Sequence, residues 1–182
     1  MKTTRQEVMD WGLHFMNEIG TDEICSVCIS YGGSCCSGCK HLADGVGCQS
    51  RNTSCTSWLC GYLLFIFHET GLLYDWNEFW EQVPGKAYRQ DSTPHELDIE
   101  NWLGTRDLRR LTALFSKDLE ELVQTDRQYY VVRLNDLLYR YISAAYAISP
   151  LDQNSVNSLN RKLHRLTKGF QRYHTFKKHH IR

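Results

Sequence analysis

The chain has 182 residues, 42% of them hydrophobic and 12% aromatic, with 21 Lys/Arg against 21 Asp/Glu. That length and apolar content exclude a disordered chain and a mini-protein held only by cross-links, leaving one domain or a small cysteine-rich module fused to a larger one. The zero formal charge hides an asymmetry: residues 161–182 carry eight Lys/Arg, four His and no acid, so the remaining 13 basic residues face all 21 acidic ones upstream, a balance of −8.

The N-terminal stretch is charged and lacks the apolar core of a secretory signal, which makes export unexpected and a cytoplasmic location expected. Thr4 and Glu7 fit a capping box, followed at helical spacing by Val8, Trp11, Phe15 and Ile19, with Gly20 as the stop. The most apolar run, WLCGYLLFIF at 58–67, is about half of the roughly 20 residues needed to cross a bilayer. It reads as a buried core helix that begins near Trp58, is capped by the polar run NTSCTS and closes at Gly71.

DWNEFWEQVPG predicts a short helix with Asp75 as N-cap, an apolar face of Trp76, Phe79, Trp80 and Val83, and a Pro84-Gly85 terminator. Thr93, Pro94 and Glu96 combine the residues of another helix start. Beyond it, Leu108, Leu111, Phe115, Leu119 and Leu122 form one stripe, and Val131, Leu134, Leu138, Tyr141, Ala145 and Ile148 form a second. Ser149, Pro150 and Asp152 restart the chain, and Val156, Leu159, Leu163, Leu166, Phe170 and Tyr173 repeat the spacing. Such seams pack against other helices.

No convincing alternating strand appears, because the helical spacing around QYYVV absorbs it. The expected fold is all-α: a helical bundle with an irregular cysteine-rich loop region near the N-terminus. Its parts are residues 1–84 with the cysteines and the buried helix, a bundle over 94–176 and a basic tail at 177–182, or all of these as one continuous domain. The stretch 85–93 marks the boundary.

All eight cysteines lie within the 36 residues 25–60: Cys25, Cys28, Cys35, Cys36, Cys39, Cys48, Cys55 and Cys60. A reducing compartment disfavours a disulfide framework and points such spacing toward metal or redox chemistry. Cys25 with Cys28 and Cys36 with Cys39 form two CxxC pairs, which on tight turns bring two sulfurs to one ion. Eight ligands fill two four-sulfur sites, whereas four or five leave spectators; the adjacent Cys35 and Cys36 either feed two sites or include one spectator. His41 reads as a surface or outer group rather than a ligand.

Cys39 begins a run, CKHLADGVGCQSRNTSC, with Leu three residues on, Gly before Cys48, Arg51 inside the next loop, and Cys55 leading into the apolar helix. This resembles the second half of the YkgJ-type cysteine-cluster family, described as a zinc- or iron-chelating domain with eight cysteines. Cys25, Cys28, Cys35 and Cys36 follow the order of that family's CxxCxxCC half, with six residues instead of two between the pairs, and Arg51-Asn52 stands where the family has Arg-Pro. The resemblance covers residues 25–60 and implies a cysteine-rich metal site, without a reaction.

Two CxxC pairs favour zinc. Dense cysteines with irregular gaps beside an apolar helix suit an iron–sulfur cluster, of the 4Fe-4S or another type. No phosphate-cradling loop, HExxH or GxSxG motif is present. The expected function is therefore a non-enzymatic, metal-organised binding or regulatory protein, against an iron–sulfur redox protein or enzyme subunit. Arg161, Lys162, Arg165, Lys168, Arg172, Lys177, Lys178 and Arg182 make a basic C-terminal surface for nucleic acid or an acidic protein, with Tyr173 and Phe176 interleaved to stack bases. A membrane role is not expected, and the seams also suit a helix-mediated oligomer.

Overall fold

The computed structural model describes residues 1–35, 38–43, 46–87, 90–145 and 153–180. The chain opens with β1 (Lys2–Thr4) and α1 (Arg5–Glu18). The capping box forms as its residues dictate: Thr4 Oγ1 accepts from Glu7 N at 3.2 Å and the Glu7 carboxylate accepts from Thr4 N at 2.8 Å. Gly20, at φ 78, ends this helix and at once begins α2 (Thr21–Ser30), which carries Cys25 and Cys28. The first CxxC therefore lies on a regular helix and not on a tight turn, so its two thiols share a face one turn apart.

The cysteine region adds β2 (Leu42–Ala43), β3 (Gly47–Cys48) and the short α3 (Thr53–Ser57). The apolar run then forms α4 (Gly61–Glu69), followed by α5 (Leu72–Glu81). The buried helix starts at Gly61, three residues later than its apolar run suggests. Trp58 is extended, at φ −80 and ψ 132, and the Trp76 indole donates to Ser57 O at 2.9 Å, so α3 and α4 are separate helices with Cys60 as the N-cap of the second. Likewise α5 starts behind Gly71 at φ 75, which places Asp75 inside its first turn and not at the cap.

Next come β4 (Lys86–Ala87), β5 (Gln90–Asp91) and β6 (Glu96–Asp98). No helix starts at Thr93, Pro94 and Glu96: Thr93 and Pro94 lie in irregular chain, and Glu96 opens β6. The Thr93 hydroxyl donates to Pro84 O at 2.9 Å and meets Thr53 Oγ1 at 2.7 Å, so it is not free to cap, and Glu96 to Asp98 pair antiparallel with β1. Asp91 ties this segment to α3, accepting from Thr53 N at 2.9 Å and Thr53 Oγ1 at 2.8 Å. Burial alone would raise the Asp91 carboxyl, but these bonds, with those from Thr93, hold it below the usual range.

The rear of the chain is α6 (Arg109–Thr125), a π-helical turn at Tyr129–Arg133, α7 (Leu134–Ala145), α8 (Gln153–Leu166) and α9 (Gln171–His180). Leu111, Phe115 and Leu119 of the first stripe are buried, as are Val131, Leu134 and Leu138 of the second; Ile142, rather than Tyr141, completes that face. The expected positions Ile148, Ser149, Pro150 and Asp152 lie outside the described residues. The last seam breaks into two helices at Thr167–Phe170, where Thr167 Oγ1 donates to Leu163 O at 2.8 Å, but Leu159, Leu163, Phe170 and Tyr173 still face inward.

The fold is all-α with short strands, and the buried residues of both halves make one core. In it α4 packs on α7 and α5, α2 on α6, and α6 on α9. Fully burying Phe65, Ile66 and Phe67 of α4 is worth about 1.5–3 kcal/mol each. Among the described residues no helix is long and apolar enough to cross a membrane.

At the start of α4 the backbones of two helices touch. A Cβ on Gly61 would lie 1.8 Å from the Asn135 carbonyl oxygen of α7. Gly61→Ala is expected to cost about 3 kcal/mol or more in chemical denaturation, because backbone has to move. Gly104→Ala, with nothing within 4 Å of the added carbon, is the control expected to leave the midpoint in place.

Candidate metal centre

Three segments bring thiols together. Cys25 and Cys28 point from α2, half-buried against the core. The chain then reverses at Gly32, at φ 79, and Gly33 lies so close over α2 that a Cβ there would be 2.2 Å from the Cys28 sulfur. This return brings Cys35 to the N-terminus of α4, where it lines a pocket with Cys60. Cys25, Cys28, Cys35 and Cys60 line one small pocket, together with Tyr62 and Asn135.

A wider cavity of about 300 Å³ adjoins it, lined by Cys25, Cys35 and Cys60 again and also by Cys48, Cys55 and Arg51. Cys48 donates to Ser50 O at 3.0 Å, and Cys55 sits in α3, whose N-cap Asn52 side chain accepts from Cys55 N at 2.8 Å. Cys39 lines neither space, and Cys36 lies outside the described residues. His41 is exposed and lines neither. Among the described residues no three His, Cys, Asp or Glu side chains stand at metal-holding geometry, so the thiols converge without forming a closed coordination shell.

The electrostatics of the pocket are uneven. Burial, reinforced by the neighbouring Cys35, pushes the Cys25 thiol up to about 12 and the Cys28 thiol up to about 11. Cys35 moves the other way, to about 7, because Cys60 donates a hydrogen bond to it and Arg51 offsets its charge against the cost of burial. Cys60 is raised by the same bond and by its burial. One thiolate is thus stabilised among three protonated thiols, and a bound cation would favour ionisation of the rest.

Tyr62, one of the residues that line the pocket, carries a polar group without a partner among the described residues. The Tyr62 hydroxyl is fully buried and has no hydrogen-bond partner among the described residues, while Tyr62 N donates to the Asn135 side chain at 3.2 Å. Burial raises the phenol, and the nearby Cys28 and Cys60 add to this. A buried unpaired hydroxyl costs about 1–3 kcal/mol, whereas a thiolate beside it would be an acceptor. By donor chemistry the four soft thiols of Cys25, Cys28, Cys35 and Cys60 are the residues that would hold a thiophilic metal ion, were the side chains to close on one. The bound group would supply the positive charge that keeps these thiols ionised, and Tyr62 would hydrogen-bond one of them. Tyr62 and Asn135 carry no signal in the sequence; Arg51 stands in the quoted run, but its approach to the sulfurs needs the folded loop.

The basic residues separate into two groups. Arg161, Lys162, Arg165 and Lys168 are exposed, with Lys162 lying 5.4 Å over the Tyr141 ring. Arg172 is bound to buried Asp118 at 2.9 Å and to Glu121 at 2.7 Å, and Lys177 pairs with Glu69. Lys178 is exposed, and Arg182 lies outside the described residues. Tyr173 and Phe176 are not free to stack bases: Tyr173 is fully buried, and Phe176 lies between Arg110, at 5.1 Å, and the His180 ring, at 4.1 Å. Both belong to the seam that holds α9 on the body.

Compared with family models, curated proteins and solved structures, the chain finds no match in any of the three. The YkgJ-type resemblance therefore rests on the residues that carry it.

Tyr62→Phe provides a two-sided test of the pocket. Removing an unpaired hydroxyl is expected to stabilise the metal-free protein by about 1 kcal/mol and to destabilise the zinc-loaded protein by a similar amount. Thermal unfolding of both forms, with and without a chelator, reads the two signs.

Proposed function

We propose that this chain is a metal-binding cysteine-cluster protein, a non-enzymatic binding or regulatory module of a reducing, cytoplasmic setting, akin to the YkgJ-type family. The observation that carries this reading is the convergence of Cys25, Cys28, Cys35 and Cys60 from a helix, a loop and a helix N-terminus on one pocket beside Arg51. Zinc is the favoured ion, because four cysteine thiolates are a ligand set that structural zinc sites use. Its binding energy adds to folding energy where a polar loop cannot order itself. The basic C-terminal helices are the surface offered to a nucleic acid or an acidic protein.

One observation favours the iron–sulfur redox reading as an alternative. The adjoining cavity of about 300 Å³ brings Cys48 and Cys55 next to the same sulfurs, which supplies both room and extra thiolates for a cluster larger than one ion.

Elemental analysis and the visible spectrum of protein purified without oxygen separate the two. One zinc per chain and no colour is the expected result; a brown protein with iron and sulfide supports the alternative, and no stoichiometric metal would overturn both. Cys25→Ser and Cys60→Ser are expected to lower metal content at least tenfold after dialysis. Cys39→Ser, whose residue lines neither space, is expected to leave it near the unmodified value.

A further inference from the structure

Helix α8 has two faces of opposite character. Leu159 and Leu163 are buried on one, where the helix packs along α7. On the other, Asn154, Asn157, Arg161 and His164 recur at steps of three and four, flanked by Asn160 and Arg165, and with Lys168 in the turn just past the helix they line one open depression. Residues 153–180 contain no Asp or Glu. Arg165 and Lys168 make no ion pair with any described residue, whereas Arg172 and Lys177 are used to hold α9 on the acidic body. Arg161, Arg165 and Lys168 thus stand exposed and outside any ion pair among the described residues, on α8 and the turn after it, beside three asparagines.

We propose that this face of α8 binds duplex DNA, with the helix in the major groove, Arg161, Arg165 and Lys168 serving the phosphates or guanine, and Asn157 and Asn160 directed at base edges. A helix of 14 residues is about 21 Å long and fits a major groove about 12 Å wide. Asn is the side chain that pairs bidentately with adenine, as Arg does with guanine. Single strands are disfavoured, because their capture relies on free aromatic faces and the three aromatic residues of 153–180, Phe170, Tyr173 and Phe176, are used in packing. An acidic protein is disfavoured too: stable protein interfaces need apolar or aromatic anchors, and none of the exposed large hydrophobic residues among those described lies on α8 or α9. DNA interfaces are polar and strongly basic, like this face.

The inference rests on the binding half of the proposed function and not on its metal centre. The test uses the full-length protein with the metal it carries on purification, and a fluorescent 20-base-pair duplex of mixed sequence. Anisotropy between 50 and 200 mM salt is expected to show binding that weakens with salt. The variant R161Q/R165Q/K168Q is expected to bind at least tenfold more weakly at 50 mM salt, and to flatten the slope of log affinity against log salt by about three. Its melting temperature and metal content are expected to stay unchanged, as all three side chains are exposed; should it melt earlier, K168Q alone is expected to lower the slope by about one. N157A/N160A is expected to keep affinity for the mixed duplex and to lose any preference that selection from random duplexes reveals. Absent salt-dependent binding, an unaffected triple variant, tighter binding to single strands of the same length, or equal binding to polyglutamate each overturns the proposal. Metal-replete protein that ignores duplex overturns this inference alone, and protein that binds duplex but carries no stoichiometric metal on purification overturns the metal centre alone.

Discussion

The contact between the N-terminus of α4 and the backbone of α7 fixes the geometry on which the thiol pocket depends. Only a residue without Cβ fits where Gly61 meets the Asn135 carbonyl. That approach sets the depth of α4 and so places its cap residue Cys60 and its second residue Tyr62 at the floor of the pocket. Asn135 adds a side-chain acceptor for the Tyr62 N–H, one of the donors a helix start leaves unpaired. A second close approach, of Gly33 over the Cys28 sulfur, brings Cys35 back against Cys60. Two glycines thus do for the cysteines what knuckle turns do in short metal loops: they let sulfur and backbone come closer than any side chain allows.

Charge is distributed on the same principle of local pairing. Upstream acids outnumber bases, but Asp118 and Glu121 are matched by Arg172 and Glu69 by Lys177, each across helices distant in sequence. Asp118, only 3% exposed at its side chain, also accepts the Tyr173 backbone N–H at 3.0 Å, so it serves a helix first turn as well as an ion pair. The basic tail therefore splits into a structural part, Arg172 and Lys177 of α9, and a part outside any ion pair among the described residues, Arg161 and Arg165 of α8 with Lys168 and Lys178. Net charge alone conceals that division.

Much of the helical architecture was legible in the sequence, because period and capping are local. Thr4 and Glu7 specify a cap, and Leu111, Phe115 and Leu119 a stripe, without help from the rest of the chain. The misreadings came where a distant partner decided. Thr93 and Glu96 carry helix-start chemistry, but β1 and Pro84 take their hydrogen bonds. Cys25 and Cys28 have the spacing of a turn, but the apolar Ile24 and Val27 between α1 and α6 favour a helix. For the site, the eight cysteines announced a cluster, but which four share a pocket depends on glycine-mediated approaches that leave no periodic trace.

The pocket also explains why the division into a front and a rear half is a division of sequence and not of packing. Its sulfurs come from the front, yet Asn135 belongs to α7 and Val131, which lies against Gly33, to the π-helical turn before it. Farther along α2, Arg127 donates to Tyr31 O at 2.6 Å and Gln124 to the Tyr31 hydroxyl, fastening the end of the cysteine helix to the rear. A chain whose front half carried its own independent metal module would need none of these bonds. Here the rear helices supply the wall against which the thiol loop folds, so the loop's order depends on their packing as much as on its own sequence, and the energetics of the two halves are coupled through the residues that line the pocket.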